Sequence, residues 1–462
     1  MKYNIVIGTD SYKAGQAKLY KPGTQVISSY LESRGGNSND TIFFGLQYYL
    51  KRYLQGVVVT KQDIDEAEKF WNAHFGRKDY FDRSKWDYIV DKWGGVLPVT
   101  IRAVREGTRV PVLNVLMVIE NTDEQCFWLT NWLETLLMKV FYPISIATRS
   151  NKIYEDVLYY LKKSGSPEDV VWKCHDFGYR GCTSEETSAL GSAAHLVAGF
   201  MGSDTVSGVR LLQEYYGANM PAFSIPATEH SNICSYGRDG ESEVCERYLK
   251  LFPEGLIACV SDTYNIYNAC QNIWGDKLKD VIKNRNGLFV IRPDSGEPCK
   301  VVPQVLNILL KKFGATINDK GYRVLNHCRV IQGDGMKSET INKLYETILE
   351  EGWSADNLAV GSGGGLLTQD ITRDTHKFAI KASAAKINDE WVEIYKDPIT
   401  DLGKQSKKGR LKLIKNPKGL FVTVKDTGFR PDQPDQLIEV FRNGVCLVDL
   451  KFDDIKKRVK VE

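Results

Sequence analysis

The chain has 462 residues, 42% hydrophobic and 26% charged, with a formal net charge of +3. That is enough chain for two or three domains around a large core, in an ordinary globular composition. Charge this even marks neither a nucleic-acid binder nor a membrane-surface protein, and no apolar stretch approaches the length of a membrane-spanning helix.

The first ten residues turn polar too quickly for a secretory signal. Ten cysteines occur without a Cys-x-x-Cys pair. Several of them (Cys174, Cys259, Cys328) lie in apolar runs, the pattern of buried reduced thiols in a cytoplasmic protein. Six histidines occur, none paired at metal-ligand spacing, so no structural metal site is expected.

In chain order, the first part mixes a strand at 26–31 with helices at 44–54 and 61–75, then a Trp-rich helical stretch at 127–142. Between residues 170 and 373, short apolar runs at 170–174, 223–226, 256–260, 288–291, 329–332 and 357–360 alternate with amphipathic stretches. Those stretches fall at 185–200, 205–216, 243–251, 264–282, 301–313 and 339–350. Short apolar runs are the mark of strands buried on both faces. Strand–helix alternation predicts a parallel sheet, which right-handed crossovers can close into a barrel. An open doubly wound sheet gives a similar string, so periodicity leaves closure open. After residue 373 the chain turns strand-rich, at 378–382, 390–395, 409–414, 420–424 and 437–441, with Gly and Pro in the turns. The reading is an α/β protein. An irregular TIM-like (β/α) barrel spans residues 146–375, and a second α+β domain is assembled from 1–145 and 376–462.

The apolar runs of the middle segment end in polar residues or glycine. In a parallel barrel such residues meet at one mouth, where a site is built. Singly, each has an ordinary use. Asp in a turn caps backbone, a Gly run makes a turn, Arg forms surface ion pairs, and a Phe after a strand packs in a core. Their order is more informative. Asp10-Ser11-Tyr12-Lys13, His175-Asp176-Phe177-Gly178-Tyr179-Arg180-Gly181, Gly202-Ser203-Asp204-Thr205-Val206, Glu229-His230-Ser231 and Ser261-Asp262-Thr263-Tyr264 come first. Ile291-Arg292-Pro293-Asp294-Ser295-Gly296, Gln332-Gly333-Asp334-Gly335, the glycines at 361–365 and Ser406-Lys407-Lys408-Gly409-Arg410 follow. Together, over nearly the whole chain, this series resembles the nicotinamide phosphoribosyltransferase family.

The resemblance implies a homodimeric type II phosphoribosyltransferase with shared active sites. It implies formation of nicotinamide mononucleotide and pyrophosphate from nicotinamide and phosphoribosyl pyrophosphate, in NAD salvage. Mg²⁺ would accompany the pyrophosphate. ATP hydrolysis would be coupled through a phosphohistidine at His230, with Asp262 orienting the ring. Tyr12, from the partner chain, and Phe177 would sandwich the pyridine ring, and Asp204 would accept the amide N–H. Asp294 and Asp334 would meet the ribose. Gly333, Gly363 and Gly364 would cradle phosphate, helped by the positive end of the helix that follows. Arg180, Arg292 and Arg373 would bind phosphate and pyrophosphate, joined by Lys381, Lys396 and Lys404. His230, Asp294, Arg292 and Asp262 form the implied catalytic set.

These residue types suit the chemistry. Loss of pyrophosphate from C1 of a sugar passes through an oxocarbenium-like state. That state calls for cations at the leaving group, carboxylates at the ribose and a flat slot for the base. The planar fork of Arg matches phosphate oxygens. A nicotinate phosphoribosyltransferase is the alternative, and the negative charge of Asp204 argues against a carboxylate base. Ala258 and Ala379 depart from the resemblance, standing where hydroxyl-bearing residues are familiar. One extra residue lies between Gly365 and Arg373.

Overall fold

The computed structural model describes residues 3–400, 405–428 and 430–461. They form two compact units. One comprises Arg149–Glu214 and Ala218–Asp370; the other comprises Met1–Thr148, Tyr215–Gly217 and Ile371–Glu462.

The first of these is mixed α/β around a parallel sheet. Its strands are β1 (Cys174–Asp176), β2 (Ile257–Val260), β3 (Phe289–Arg292), β4 (Cys328–Gln332) and β5 (Leu358–Ser362), in the spatial order β1-β5-β4-β3-β2. All four pairings are parallel. Ser362 lies beside Asp176, and Val260 beside Arg292, so the C-terminal strand ends are aligned. β2 is buried along its whole length, as expected of a strand covered on both faces. Beyond the edge strands, isolated parallel bridges join Asp176 to Ser203, Gly202 to Phe223 and Ala227 to Ala258.

The crossover helices follow from their sequences. Helix Ser338–Glu350 buries Ile341, Leu344, Tyr345, Ile348 and Leu349, the 3–4 spacing of one helical face. Each such side chain contributes about 1.5–3 kcal/mol when fully buried. Helix Glu185–Val197 starts at Ser184, whose hydroxyl accepts the Thr187 N–H, with Glu185 and Glu186 in its first turn. Helix Pro298–Phe313 has Pro in its first turn, Lys311 and Lys312 in its last, and Gly314 at φ 75° just beyond.

Three expected elements differ. The run at 170–174 is not one strand: Pro167–Trp172 is a 3₁₀ helix opened by its proline, and β1 begins at Cys174. The run at 223–226 makes single bridges rather than a ladder, because Pro226 has no N–H to donate. The helix expected over 264–282 breaks into Ile266–Asn268, a π-helical segment Ala269–Lys277, and Lys279–Lys283. Gly275 marks the wide turn: a Cβ there would lie 2.7 Å from the Cys270 carbonyl oxygen.

The other unit holds a seven-stranded sheet drawn from both ends of the chain. Its order is Glu390–Glu393, Phe378–Ile387, Thr24–Ser33, Val115–Asn121, Val99–Ala103, Ile438–Arg442 and Val445–Cys446, with every pairing antiparallel. Tyr30 lies opposite Lys381. Helix Lys61–Phe75 carries a Thr60–Asp63 capping box and ends at Gly76 in the left-handed region. The Trp-rich stretch expected at 127–142 is fragmented into Leu129–Trp132, Glu134–Leu137 and a 3₁₀ turn, Met138–Val140. Its Trp128 and Trp132 pack edge-to-face with each other and with Trp86, at 4.9–5.8 Å. Strands Val99–Ala103 and Val115–Asn121 and the 24-residue helix Phe141–Ser164 were not marked by the sequence pattern.

Cys174, Cys259 and Cys328 are fully buried. Among the described residues, no helix is long and apolar enough to cross a membrane.

Candidate active site

The site grows from the C-terminal strand ends of the parallel sheet. Past β1, the Phe177 N–H donates to the Ser362 carbonyl at 3.0 Å. The buried Asp176 carboxylate accepts the Gly178 N–H at 2.8 Å and the Ser203 hydroxyl at 3.2 Å. This fixes the turn that presents the Phe177 ring. The ring lies where a side chain of residue 361 would be: a Cβ there would stand 1.9 Å from Cε2 of Phe177. The Arg292 guanidinium, at the end of β3, sits 4.9 Å from the ring centroid, a cation–π contact.

Arg292 also reaches Asp294, with Nη2 2.9 Å and Nε 3.2 Å from Oδ1. Gly333, past β4, makes room for this pair: a Cβ there would lie 2.3 Å from Asp294 Oδ1 and 2.7 Å from Arg292 Nε. These residues line a cleft of about 600 Å³ with Arg180, Asp334, Gly363 and Gly364. Of the expected phosphate glycines, Gly333 is thus required by neighbouring side chains, whereas Gly363 and Gly364 face more open space. The helix after Gly363 is only Gly364–Leu367, one turn, too short to sum a macrodipole.

A second buried carboxylate organises the next sector. Asp262, past β2, has a side chain only 4% exposed. Its Oδ1 lies 3.0 Å from His230 Nε2, and its Oδ2 accepts the Asp294 N–H at 3.1 Å and the Ser295 hydroxyl. His230 opens the short helix His230–Cys234, and its imidazole is 45% exposed. With the carboxylate ionised, Nε2 is the donor of this contact. The expected His230–Asp262 pair is therefore present, and Asp262 also ties it to Asp294.

Asp204 stands beside Phe177 and Arg292 in an adjoining cleft of about 580 Å³. Burial raises its pKa, but the hydrogen bonds from His175 and the Ser224 hydroxyl, with the Arg292 charge nearby, outweigh this and hold the carboxyl below its ordinary value. His175 and Ser224 were missed in the sequence. The available signal was strand alternation, since His175 precedes Phe177 by two positions and so shares its face. Ala258 lies in an apolar floor with Val290 and Ile331, against which Phe177 packs.

Four expected residues belong to the other unit. Tyr12 is exposed, 55% by surface. Arg373 is exposed beside Asp374 at 3.2 Å. Burial lowers the pKa of Lys381; Glu134, 4.0 Å away, opposes this, and Arg34, Arg373 and Lys13 reinforce it. Lys13 is itself paired to Glu134 at 2.6 Å. Arg34 donates through Nε to Glu32 at 2.7 Å and also meets the Tyr30 hydroxyl. Lys396 is exposed, its backbone closing on Ser406. Ala379 lies in the sheet opposite Glu32. Lys404 lies outside the described residues.

Known proteins share this organisation. The profile of the nicotinate phosphoribosyltransferase (NAPRTase) family matches residues 172–444, and that of the nicotinamide phosphoribosyltransferase N-terminal domain matches residues 4–101. The nicotinamide phosphoribosyltransferase of Xanthomonas campestris pv. campestris is 44% identical, over 98% of this chain and 97% of its own. That of Acinetobacter baylyi is 29% identical over 99% and 97%. Among solved structures, nicotinate-nucleotide pyrophosphorylase from Pyrococcus furiosus aligns with a TM-score of 0.62 at 15% identity, over 99% of this chain and 97% of that one. Human nicotinic acid phosphoribosyltransferase aligns with a TM-score of 0.54 at 15% identity, over 98% and 93%. At that identity these two structures establish the fold alone. Fold and site together define a pentosyl-transferring enzyme. The chain belongs to the nicotinate phosphoribosyltransferase family, among its nicotinamide phosphoribosyltransferases.

The contact between residue 361 and Phe177 is testable. Gly361→Ala should push the Phe177 ring aside while the fold persists. Overpacking of this kind costs about 1–3 kcal/mol of stability, and the displaced ring should weaken nicotinamide binding severalfold by calorimetry. Wild-type affinity in this variant would remove Phe177 from the base slot.

Proposed function

We infer that the chain transfers the 5-phosphoribosyl group of phosphoribosyl pyrophosphate to nicotinamide, giving nicotinamide mononucleotide and pyrophosphate. The observation that carries the choice of base is the Asp204 carboxylate standing in the cleft beside Phe177. It offers an acceptor to a carboxamide N–H and repels a carboxylate.

The cleft geometry is compatible with the following roles. Phe177 provides one face of the slot. Arg180 and Arg292 stabilise the departing pyrophosphate, and Asp294 and Asp334 accept the ribose hydroxyls. The backbone N–H groups at Gly333, Gly363 and Gly364 meet the 5′-phosphate. As the C1–O bond breaks, positive charge grows on the sugar near Asp294, which Arg292 already holds in place. Arg373, Lys381, Lys396 and Lys404 are proposed as further phosphate contacts. Mg²⁺ suits such a site: it favours one or two carboxylates plus substrate phosphates and keeps several waters. Asp294 and Asp334 are the carboxylates that would hold it, and when bound it offsets charge on the pyrophosphate.

Three finer points belong to the same reading. The sheet closes as an irregular (β/α) barrel, supported by the bridges through Ser203, Phe223 and Ala227; an experimental structure open along that edge would refute it. His230 accepts the γ-phosphoryl group of ATP on Nδ1, releasing ADP, with Asp262 holding the imidazole. Two copies share each active site, Tyr12 of the second copy covering the base; its exposed ring suits this. The buried thiols suit a cytoplasmic location.

Incubation with phosphoribosyl pyrophosphate, Mg²⁺ and either nicotinamide or nicotinate should yield the mononucleotide from nicotinamide preferentially, and chelation should suppress it. Asp204→Ser should lower the nicotinamide-to-nicotinate ratio of kcat/KM. A wild-type preference for nicotinate would establish the alternative enzyme.

His230→Ala should lose ATP stimulation and the acid-labile phosphoprotein while some basal synthesis survives. Full stimulation in this variant would rule out a phosphohistidine at residue 230.

Shared sites predict complementation. Tyr12→Ala and Asp294→Ala should each be nearly inactive. Co-refolded, they should form mixed dimers with one intact site and regain part of the activity. Mixed dimers no more active than the parents would place Tyr12 in its own chain's site or outside any site.

A further inference from the structure

Asp204 sits on a segment flanked by two others. Residues 202–203 bridge Asp176 on one side and Phe223 on the other. The Asp204 N–H donates to the Asp176 carbonyl at 2.9 Å. Its side chain is nevertheless 49% exposed, and a carboxylate so open ordinarily samples several rotamers.

Here the flanking segments each supply a donor, and both converge on one oxygen. His175 Nε2 lies 3.0 Å from Oδ1, and the Ser224 hydroxyl donates to the same atom at 2.5 Å. An ionised carboxylate only accepts, so Nε2 carries the proton. Oδ2 has no hydrogen-bond partner among the described residues. The arrangement depends on Gly202, where a Cβ would lie 2.6 Å from His175 Nδ1. His175 and Ser224 line a cavity of about 360 Å³ that shares Val290 and Ile331 with the apolar floor under Phe177, whereas Asp204 and Phe177 line the cleft. Both donors are turned to Asp204, which is the group that faces the cleft.

We propose that His175 and Ser224 are positioning residues that saturate Oδ1 of Asp204, leave Oδ2 as the single acceptor offered to the base, and so set the preference for carboxamide over carboxylate. The inference rests on the nicotinamide reading of the site. A carboxamide brings an N–H to Oδ2. A carboxylate brings acceptors alone, and the donors that could meet it are already turned to Oδ1. With the clamp removed, Asp204 relaxes toward water, and the amide contact forms only after the side chain is ordered again.

The test is steady-state kinetics on His175→Phe, His175→Gln and Ser224→Ala with both bases, with the tautomer of His175 read by ¹⁵N NMR. In His175→Phe the KM for nicotinamide should rise about tenfold, the scale of one hydrogen bond to a charged group, with kcat within about twofold. The nicotinate kcat/KM should stay unchanged. His175→Gln, which restores an N–H donor, should recover most of the loss, and Ser224→Ala should show a smaller rise. The imidazole of wild type should be the Nε2–H tautomer and lose that preference in Asp204→Ala. A wild-type nicotinamide KM in His175→Phe, or a Gln variant as impaired as the Phe variant, overturns the proposal. An imidazole signal indifferent to Asp204→Ala overturns the clamp without reference to any substrate. A wild-type enzyme that ignores nicotinamide while showing the expected imidazole signal overturns the nicotinamide reading instead, and the selectivity role with it.

Discussion

All five strands of the buried sheet run the same way, and the aligned ends this creates are the constraint on which the site depends. Parallel strands need long crossovers, so consecutive strand ends come from distant sequence positions yet share one edge. Phe177, Asp262, Arg292, Gly333 and Gly363 reach the same region for this reason alone. Two buried carboxylates then give the edge its local shape. Asp176 binds the turn that carries Phe177, and Asp262 joins His230 to Asp294. Each is costly to bury, and each is offset by hydrogen-bond donors on both oxygens.

The glycines of the site matter chiefly for what they lack. Gly202, Gly333 and Gly361 all have φ outside the left-handed region, so backbone freedom does not explain them. Each instead vacates the volume of a Cβ that a functional side chain occupies: His175, the Arg292–Asp294 pair, and Phe177. A Cβ at any of the three would force the facing side chain to shift, so these glycines help set side-chain positions. Gly296 and Gly335, by contrast, are left-handed and turn the chain beside the cleft.

Charge is arranged differently in the two units. In the parallel-sheet unit, Arg292 is paired with Asp294 before any substrate arrives, so its direction is set at little further entropic cost. In the antiparallel unit, Lys13 and Lys381 share Glu134, Arg34 and Lys407 share Glu32, and Arg373 stands beside Asp374.

The sequence by itself carried the strand–helix alternation of the middle segment, the capped helix Lys61–Phe75 and the face of helix Ser338–Glu350, because burial on one side of a regular element leaves a local period. It also marked most of the residues that line the candidate clefts, since residues that end strands stand out from the apolar runs before them. Tertiary structure alone decided the rest. Local apolarity did not reveal that Pro226 lacks a needed donor, or that residues 264–282 must widen around Gly275. The pairing of strand Phe378–Ile387 with Thr24–Ser33 joins opposite ends of the chain, and no local period encodes a partner so distant. The contacts of His175 and Ser224 with Asp204 belong to the same class. Each residue is unremarkable in its own segment and acquires a role only when three strand ends are brought side by side, because hydrogen bonds and excluded volume act through space and not along the chain.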